Sequence, residues 1–512
     1  MGASLGRRTE GTDGADRTAV LILAGFLAGR FVFALLLGPG VDESYTLAIS
    51  RPLNLSYFDH PPLHQWIAHF AAAALGEGVG ARLPFLLIFA ATGWIYYRLT
   101  ADLFGTRAAL VALFALNASP FFFASAGTWI VPDGPLLFGL AAAAWALARL
   151  FFGPPADRGS VWGLWLAVGV ALGLAGLSKY SAALSALGLL AFVAASPPQR
   201  RWLAHPAPYV AAAVALVLIA PVVVWNARHG WVSFGFQGGR GAPGTGLKPA
   251  QLLAMALGEI AYLSPWLAGP LAMGLFAAWR KRGDPRRFFL LCLALPPILV
   301  FTLTPLWGAR GLPHWTMPGW FFVFALMGAW ASDRGFSAPT LRGWAFASAG
   351  LLAAVVAVVS VEAATGWPLR LLPHRSDAAD PTLEVFDWRG LRDAPALRPA
   401  PAFVLAAKWS DAGKIALALG PAVPVFVISD DPRGWAFVSG GDGLAGRDGV
   451  LVARADDLVV AQAEAAPLVR SLGPPEAYAL KRNGETAVEL ALVPVHGLTR
   501  NLPLPYPGAS AE

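Results

Sequence analysis

Long apolar runs separated by short basic connections dominate this sequence and leave few ways to fold it. The hydrocarbon core of a bilayer, about 30 Å thick, needs about 20 apolar residues per helix. Runs that meet or approach that length lie at 18–38, 84–104, 107–125, 133–152, 161–177, 180–196, 207–226, 252–279, 288–306, 314–332 and 341–361. Hydrophobic residues make up 56% of the chain and charged residues only 13%, against about 25% charged in soluble domains. The expected fold is an α-helical polytopic membrane protein with about 11 transmembrane helices. Two boundaries stay open. The stretch from Trp162 to Ser196 reads either as two short helices broken at Ser178-Lys179-Tyr180 or as one long bent helix. Pro265 and Pro270 interrupt the long 252–279 run, so its first part is expected at the interface.

The first run has no convincing small-residue cleavage site and reads as a retained helix rather than a removed leader. The single cysteine, Cys292, cannot form an intrachain disulfide. The net charge of +7 falls in short loops. That pattern is a topology signal, not a nucleic-acid footprint, and no nucleic-acid partner is expected. With Arg7, Arg8 and Arg17 in the cytoplasm, the connections bearing Arg107, Arg158, Arg200-Arg201, Arg280–Arg287 and Arg334 with Arg342 also fall inside. The expected location is therefore the inner membrane, multi-pass, with the other set of loops periplasmic.

Three regions follow. Residues 1–17 are expected to be a disordered cytoplasmic N-terminus. Residues 18–361 form the membrane domain, with a long periplasmic loop at 39–83. Residues 362–512 change character, with more Asp, Arg and Pro and no 20-residue apolar run. Phe403–Lys408 and Val423–Ile428 read as short buried strands flanking a helical Asp411–Leu419. A small periplasmic α/β domain is expected there.

Carboxylates beside a membrane are costly to keep. Asp42-Glu43 directly follows the first run, and Tyr57-Phe58-Asp59-His60-Pro61-Pro62 stands later in the same loop. Pro132-Asp133-Gly134-Pro135 opens the fourth span on the same expected face. A solvated loop explains a lone carboxylate, and a helix N-terminus explains Asp133. Together the three sites point to catalysis at a membrane face, with Asp42, Glu43 and Asp133 as candidates. A carboxylate of the Asp42-Glu43 pair suits a general base on an acceptor hydroxyl. His60, Lys179, Arg228 and Arg310 are candidates to contact a phosphate, although Lys179 also reads as a snorkelling side chain. Asp59 is a candidate metal ligand. The chain has no P-loop, no Gly-rich dinucleotide fingerprint and no His-Glu-x-x-His motif, so no nucleotide cofactor is expected.

At these residues the sequence resembles GT-C superfamily membrane glycosyltransferases. It is similar to the bacterial branch related to protein O-mannosyltransferases and lipid A aminoarabinose transferases (families 39 and 83). The matching strings also include Leu177-Ser178-Lys179-Tyr180, Trp225-Asn226, His229-Gly230-Trp231 and Pro313-His314-Trp315, in family order over about the first 320 residues. The resemblance implies a polyprenyl-phosphate-linked sugar donor, and transfer at the periplasmic face with inversion. It makes Asp42 the match for the family's catalytic aspartate and Asp133 the match for a second-loop acidic position. It puts His60 where relatives often carry a basic residue near the donor phosphate, and Asp59 where relatives help hold a divalent metal. Gln237 is a departure, because some relatives present a histidine ligand in that neighbourhood. His229 stands nearby as a second candidate ligand.

The expected partners are a polyprenyl-phosphate sugar donor, a lipid or glycan acceptor and membrane lipids. The leading expectation is modification of lipid A or lipopolysaccharide core. Protein O-glycosylation is the alternative within the class. A transporter or flippase of lipid-linked sugar is the alternative outside it. Transporters often show repeats and mid-membrane charges, whereas these charges gather in loops.

Overall fold

The computed structural model describes residues 2–154, 157–242, 244, 246–309, 311–370 and 380–506, with backbone alone at 2–12 and 369–370. Among them, seven helices are long and apolar enough to cross a membrane, and up to ten spans result if each of three bent helix pairs counts as one. The first helix runs Gly2–Leu36, so the backbone stays helical through the N-terminal residues expected to lack order. Once an apolar helix is nucleated, each added residue gains a hydrogen bond at little cost.

The bent pairs account for much of the difference from eleven expected spans. The 107–125 run divides into Thr106–Ala118 and Phe121–Thr128, bent by 82°. A π-helical turn at Phe121–Ser125 marks the bend. Arg30, buried within the first helix, donates to the Phe122 and Phe123 carbonyls at 3.2 Å each and to Asn117 Oδ1 at 2.9 Å. The 252–279 run divides at Ser264 into Pro249–Leu263 and Pro265–Arg280, bent by 103°. Ser264 takes φ +86° there, so the chain turns at the residue before Pro265. The Trp162–Ser196 stretch is two helices, Arg158–Ser178 and Ala182–Ala195, broken at Lys179. The run expected at 314–332 begins with a 3₁₀ turn, Pro313–Thr316, and its helix Met317–Asp333 has 17 residues. That helix is buried along most of its length at the centre of the bundle. A Cβ on Gly328 would meet the Ala108 carbonyl at 2.3 Å, so the backbones touch where only glycine fits.

The C-terminal unit is a six-stranded mixed sheet. Its strands are β1 (Val404–Ala406), β2 (Val425–Val427), β3 (Gly449–Arg454), β4 (Val469–Leu472), β5 (Glu476–Arg482) and β6 (Glu485–Leu498). The order is β2-β1-β3-β6-β4, with β5 also on β6. β1 pairs in parallel with β2 and β3, and the β6 pairings are antiparallel. The expected strand–helix–strand unit is present, with the helix at Trp409–Leu419.

That helix lies directly on a short helix of the first loop, Val41–Ile49. Gly413 permits the approach, because a Cβ there would stand 2.6 Å from the Tyr45 nitrogen. Lys414 donates to the carbonyls of Pro39, Glu384 (2.8 Å) and Phe386 (3.0 Å). Arg51 donates to the Ala416 carbonyl at 2.8 Å. Tyr45, Ala48, Ile49 and Tyr57 share one apolar core with Val404, Ile415, Val425 and Trp435. The loop that carries the first carboxylates is thus packed between membrane helices and the C-terminal sheet unit.

Candidate active site

The loop carboxylates meet at a cavity of about 550 Å³. Its walls come from the Val41–Ile49 helix, the Asp59–Gln65 segment, the Trp129–Asp133 turn, Lys179, the His314 turn and the C-terminal unit.

Asp42 and Glu43 have separate circumstances. Glu43 closes the first turn of its helix by accepting from the Gly40 N–H at 2.9 Å. It also accepts from the Ile130 N–H at 3.1 Å and from Arg82 Nε and Nη2 at 2.8 and 2.6 Å. Arg82 in turn donates to the carbonyls of Ala34, Leu37 and Gly38. Burial pushes the Glu43 pKa up, but Arg82 and the two backbone N–H groups hold it below the usual carboxylate range. Glu43, through Arg82, therefore clamps the loop to the first and second long helices, Gly2–Leu36 and Val79–Phe104, and its oxygens are spent. Asp42 accepts no hydrogen bond among the described residues. Its own surface is open to the cavity, yet protein surrounds that cavity, and this burial pushes its pKa up against the pull of Arg433.

Asp59 sits across the cavity. Its Oδ1 accepts from the Tyr45 hydroxyl, and its Oδ2 lies 3.4 Å from Arg433 Nη1. Its carbonyl accepts from Gln237 Nε2 at 2.6 Å. Burial raises its pKa to about 6, with Arg433 and Tyr45 opposing. His60 and His64 stand edge to face with centroids 5.7 Å apart, and the Nδ1 of His60 is buried without a hydrogen-bond partner among the described residues. Burial holds the His60 pKa well below its ordinary value and lowers His64 to about 3. At neutral pH both rings are neutral, able to donate a hydrogen bond but carrying no charge.

Asp133 opens the helix Asp133–Phe152 without a side-chain capping bond. It accepts from Lys179 Nζ through both oxygens, at 2.9 and 3.1 Å. The break at Lys179 is what turns this side chain into the cavity.

The cavity brings together Asp42, Glu43, Asp59, His60, Asp133 and Lys179. It does not bring in Arg228, which is exposed at the end of its helix. His229 also lies apart. Its ring stacks on Trp225 with centroids 4.1 Å apart, and its Nδ1 pairs with the Trp225 carbonyl at 2.7 Å. Arg310 lies outside the described residues. The sequence reading passed over Arg433, Trp409 and Glu384 from the C-terminal unit, and Arg240 and Tyr262 from the membrane domain. Of these, Arg240 had a local signal, a basic residue in the last turn of the aromatic helix Val232–Arg240. Its guanidinium lies 5.2 Å from the Phe236 ring and 4.8 Å from Trp315.

The residues present do not fit a divalent ion held by Asp59 and His229. The two are not brought together, and Asp59 already faces a hydroxyl and a guanidinium. Among the described residues, no group of three or more His, Cys, Asp or Glu side chains is arranged to hold a metal.

A many-helix membrane bundle thus carries a polar cavity closed by a sheet unit, and known proteins resemble it. The family model described as dolichyl-phosphate-mannose-protein mannosyltransferase matches residues 59–225. The lipid A galacturonosyltransferase RgtD of Rhizobium johnstonii is 26% identical over 315 residues, 56% of this chain and 60% of that protein. The lipopolysaccharide core galacturonosyltransferase RgtA of the same organism is 26% identical over 271 residues, 52% of this chain and 53% of that protein. The match thus spans little more than half the length of these curated relatives. The crystal structure of ArnT from Cupriavidus metallidurans bound to undecaprenyl phosphate superposes with a TM-score of 0.62 at 18% identity, covering 92% of this chain and 97% of that one. These matches bear out the resemblance to GT-C superfamily membrane glycosyltransferases read from the loop motifs.

Proposed function

We propose that the chain is an inverting glycosyltransferase that moves a sugar from a polyprenyl-phosphate donor to lipid A or lipopolysaccharide core. The observation that carries this reading is Asp42, a carboxylate without a hydrogen-bond partner among the described residues, facing a cavity lined by His60 and Lys179. The names of the two bacterial relatives support the acceptor class and point to a uronosyl donor. The ArnT fold, seen with undecaprenyl phosphate bound, supports the donor class.

In this reading Asp42 takes the proton from the acceptor hydroxyl as the anomeric carbon is attacked. A carboxylate whose pKa is raised is the stronger base. The leaving group is a lipid phosphate, so positioning and charge stabilisation are what the site supplies. His60 donates a neutral hydrogen bond to that phosphate. Lys179 supplies charge, oriented by Asp133. Were the acceptor itself a phosphate, no base would be needed and Asp42 would position it. The pattern of basic connections supports an N-terminus in the cytoplasm and a cavity on the periplasmic side of the inner membrane.

The family model's description favours a second reading, transfer to protein hydroxyls. Mass spectrometry of lipid A, core oligosaccharide and periplasmic glycoproteins from a deletion strain separates the two. Loss of one sugar from lipid A or core, restored by the intact gene, is expected. Unchanged lipid A and core with a lost protein glycan favours the second reading. Unaltered glycans with lipid-linked sugar stranded on the cytoplasmic side would point to a transporter.

A further inference from the structure

The C-terminal unit places a guanidinium at the centre of the site. Arg433 lines the cavity between Asp42 and Asp59, the two carboxylates on which it acts more strongly than any other cation. Its side chain is 13% exposed. The guanidinium lies 3.7 Å over the Trp409 ring, a cation–π seat. The Trp409 ring in turn meets Tyr45 edge-on. Arg433 takes φ +47°, a left-handed conformation that a non-glycine residue adopts only at an energetic cost. The surroundings enforce it: the Gly434 N–H donates to the Tyr45 hydroxyl at 2.9 Å, and that hydroxyl donates to Asp59. The arginine is held in place through its backbone and its ring seat.

Among the described residues its donors, by contrast, are largely unspent. A guanidinium has five N–H donors. Nη1 makes one long bond to Asp59, at 3.4 Å. Nε lies 3.5 Å from Asp431 and has no hydrogen-bond partner among the described residues. A guanidinium fixed in position, with donors to spare, at the wall of a cavity is suited to a planar oxyanion. It also stands beside Asp59, where the sequence reading had looked for a divalent ion.

We propose that Arg433 is the built-in cation of this site and that its spare donors receive an oxyanion of the donor molecule, in place of a divalent metal. This rests on the reading of the cavity as a polyprenyl-phosphate-sugar site. Two oxyanions of one chemistry qualify, the lipid phosphate and the carboxylate of a uronosyl sugar. In either case the soluble unit contributes a substrate-binding residue and does more than shape access for the acceptor.

The test is equilibrium binding by the full chain in lipid nanodiscs, with EDTA throughout. The probes are undecaprenyl phosphate, polyprenyl-phosphate galacturonate and polyprenyl-phosphate galactose. The parent should bind, and Arg433→Gln should weaken binding by about tenfold or more, the size of one lost charge-assisted bond. A loss shared by all three probes assigns the phosphate. A loss confined to the galacturonate probe assigns the sugar carboxylate. If Arg433→Gln does not fold, Arg433→Lys serves, since it keeps the charge and lacks the planar fork. It should still weaken binding several-fold. Equal affinities of parent and variant for every probe overturn the proposal. So does binding by the parent that appears only when Mg²⁺ or Mn²⁺ is added. A parent that binds no probe under any condition overturns the polyprenyl-phosphate reading itself, which separates the two failures.

Discussion

Arg82 grips both carboxylate oxygens of Glu43, at 2.8 Å through Nε and 2.6 Å through Nη2, with the two side chains 3% and 1% exposed. Removing one partner of such a pair strands a buried charge, a loss of about 3–5 kcal/mol. Glu43→Gln should therefore lower the unfolding midpoint in detergent markedly. Asp42→Asn, one residue earlier, should leave that midpoint nearly unchanged, because Asp42 accepts no hydrogen bond among the described residues. Thermal unfolding of the two variants side by side checks this; equal losses would remove the division of labour.

Asp133 and Lys179 form a second buried pair, across the helix break. Lys179→Met and Asp133→Leu should each destabilise by about 3–5 kcal/mol, and the double variant by clearly less than the sum. A double-mutant cycle on unfolding measures the coupling. Full additivity would show that the two side chains do not act as a pair.

Asp59 gives a pH signature. Burial raises its pKa to about 6 in the folded chain, against about 3.9 when unfolded. The folded state thus binds this proton more readily than the unfolded state. Its contribution to stability is fully present below pH about 4 and is lost as pH rises through about 6. Asp59→Asn should remove that component, leaving a different slope of unfolding midpoint between pH 4 and 6 from the parent. In activity, the parent should lose transfer as pH falls through about 6, where Asp59 is neutralised and Arg433 loses its partner. Identical pH slopes for parent and variant would contradict the assignment.

Docking of the C-terminal unit depends on Gly413. A Cβ there would stand 2.6 Å from the Tyr45 nitrogen and 2.8 Å from the Ser44 carbonyl carbon. Gly413→Val should separate the unit from the Val41–Ile49 helix while both remain folded. Hydrogen exchange of residues 41–49 should rise and transfer should fall. Unaltered exchange would mean that the interface absorbs the side chain.

The membrane bundle was legible because apolar length is a one-dimensional signal. The strand–helix–strand start of the sheet unit was legible for the same reason, from Phe403–Lys408 and Val423–Ile428. The bends at Phe121–Ser125 and Ser264 were not, because Arg30 satisfies the first from a distant helix and a left-handed φ makes the second. At the site, Asp42, Asp59, His60, Asp133 and Lys179 were readable from loop motifs. Arg433 was not. It stands 374 residues from Asp59, in a short Asp-Pro-Arg-Gly segment with nothing local to mark it. Conversely, Arg228 and His229 looked like site residues because they end a span, yet one is exposed and the other is stacked on Trp225.

The central claim is that the cavity transfers sugar and that Asp42 faces the acceptor. Reconstitution of the full chain with radiolabelled polyprenyl-phosphate galacturonate and lipid A tests it most directly. Label should move to lipid A with the parent. With Asp42→Asn it should fall by about a hundredfold or more, the scale of a lost general base, while binding of undecaprenyl phosphate persists. Equal transfer by parent and Asp42→Asn would contradict the account.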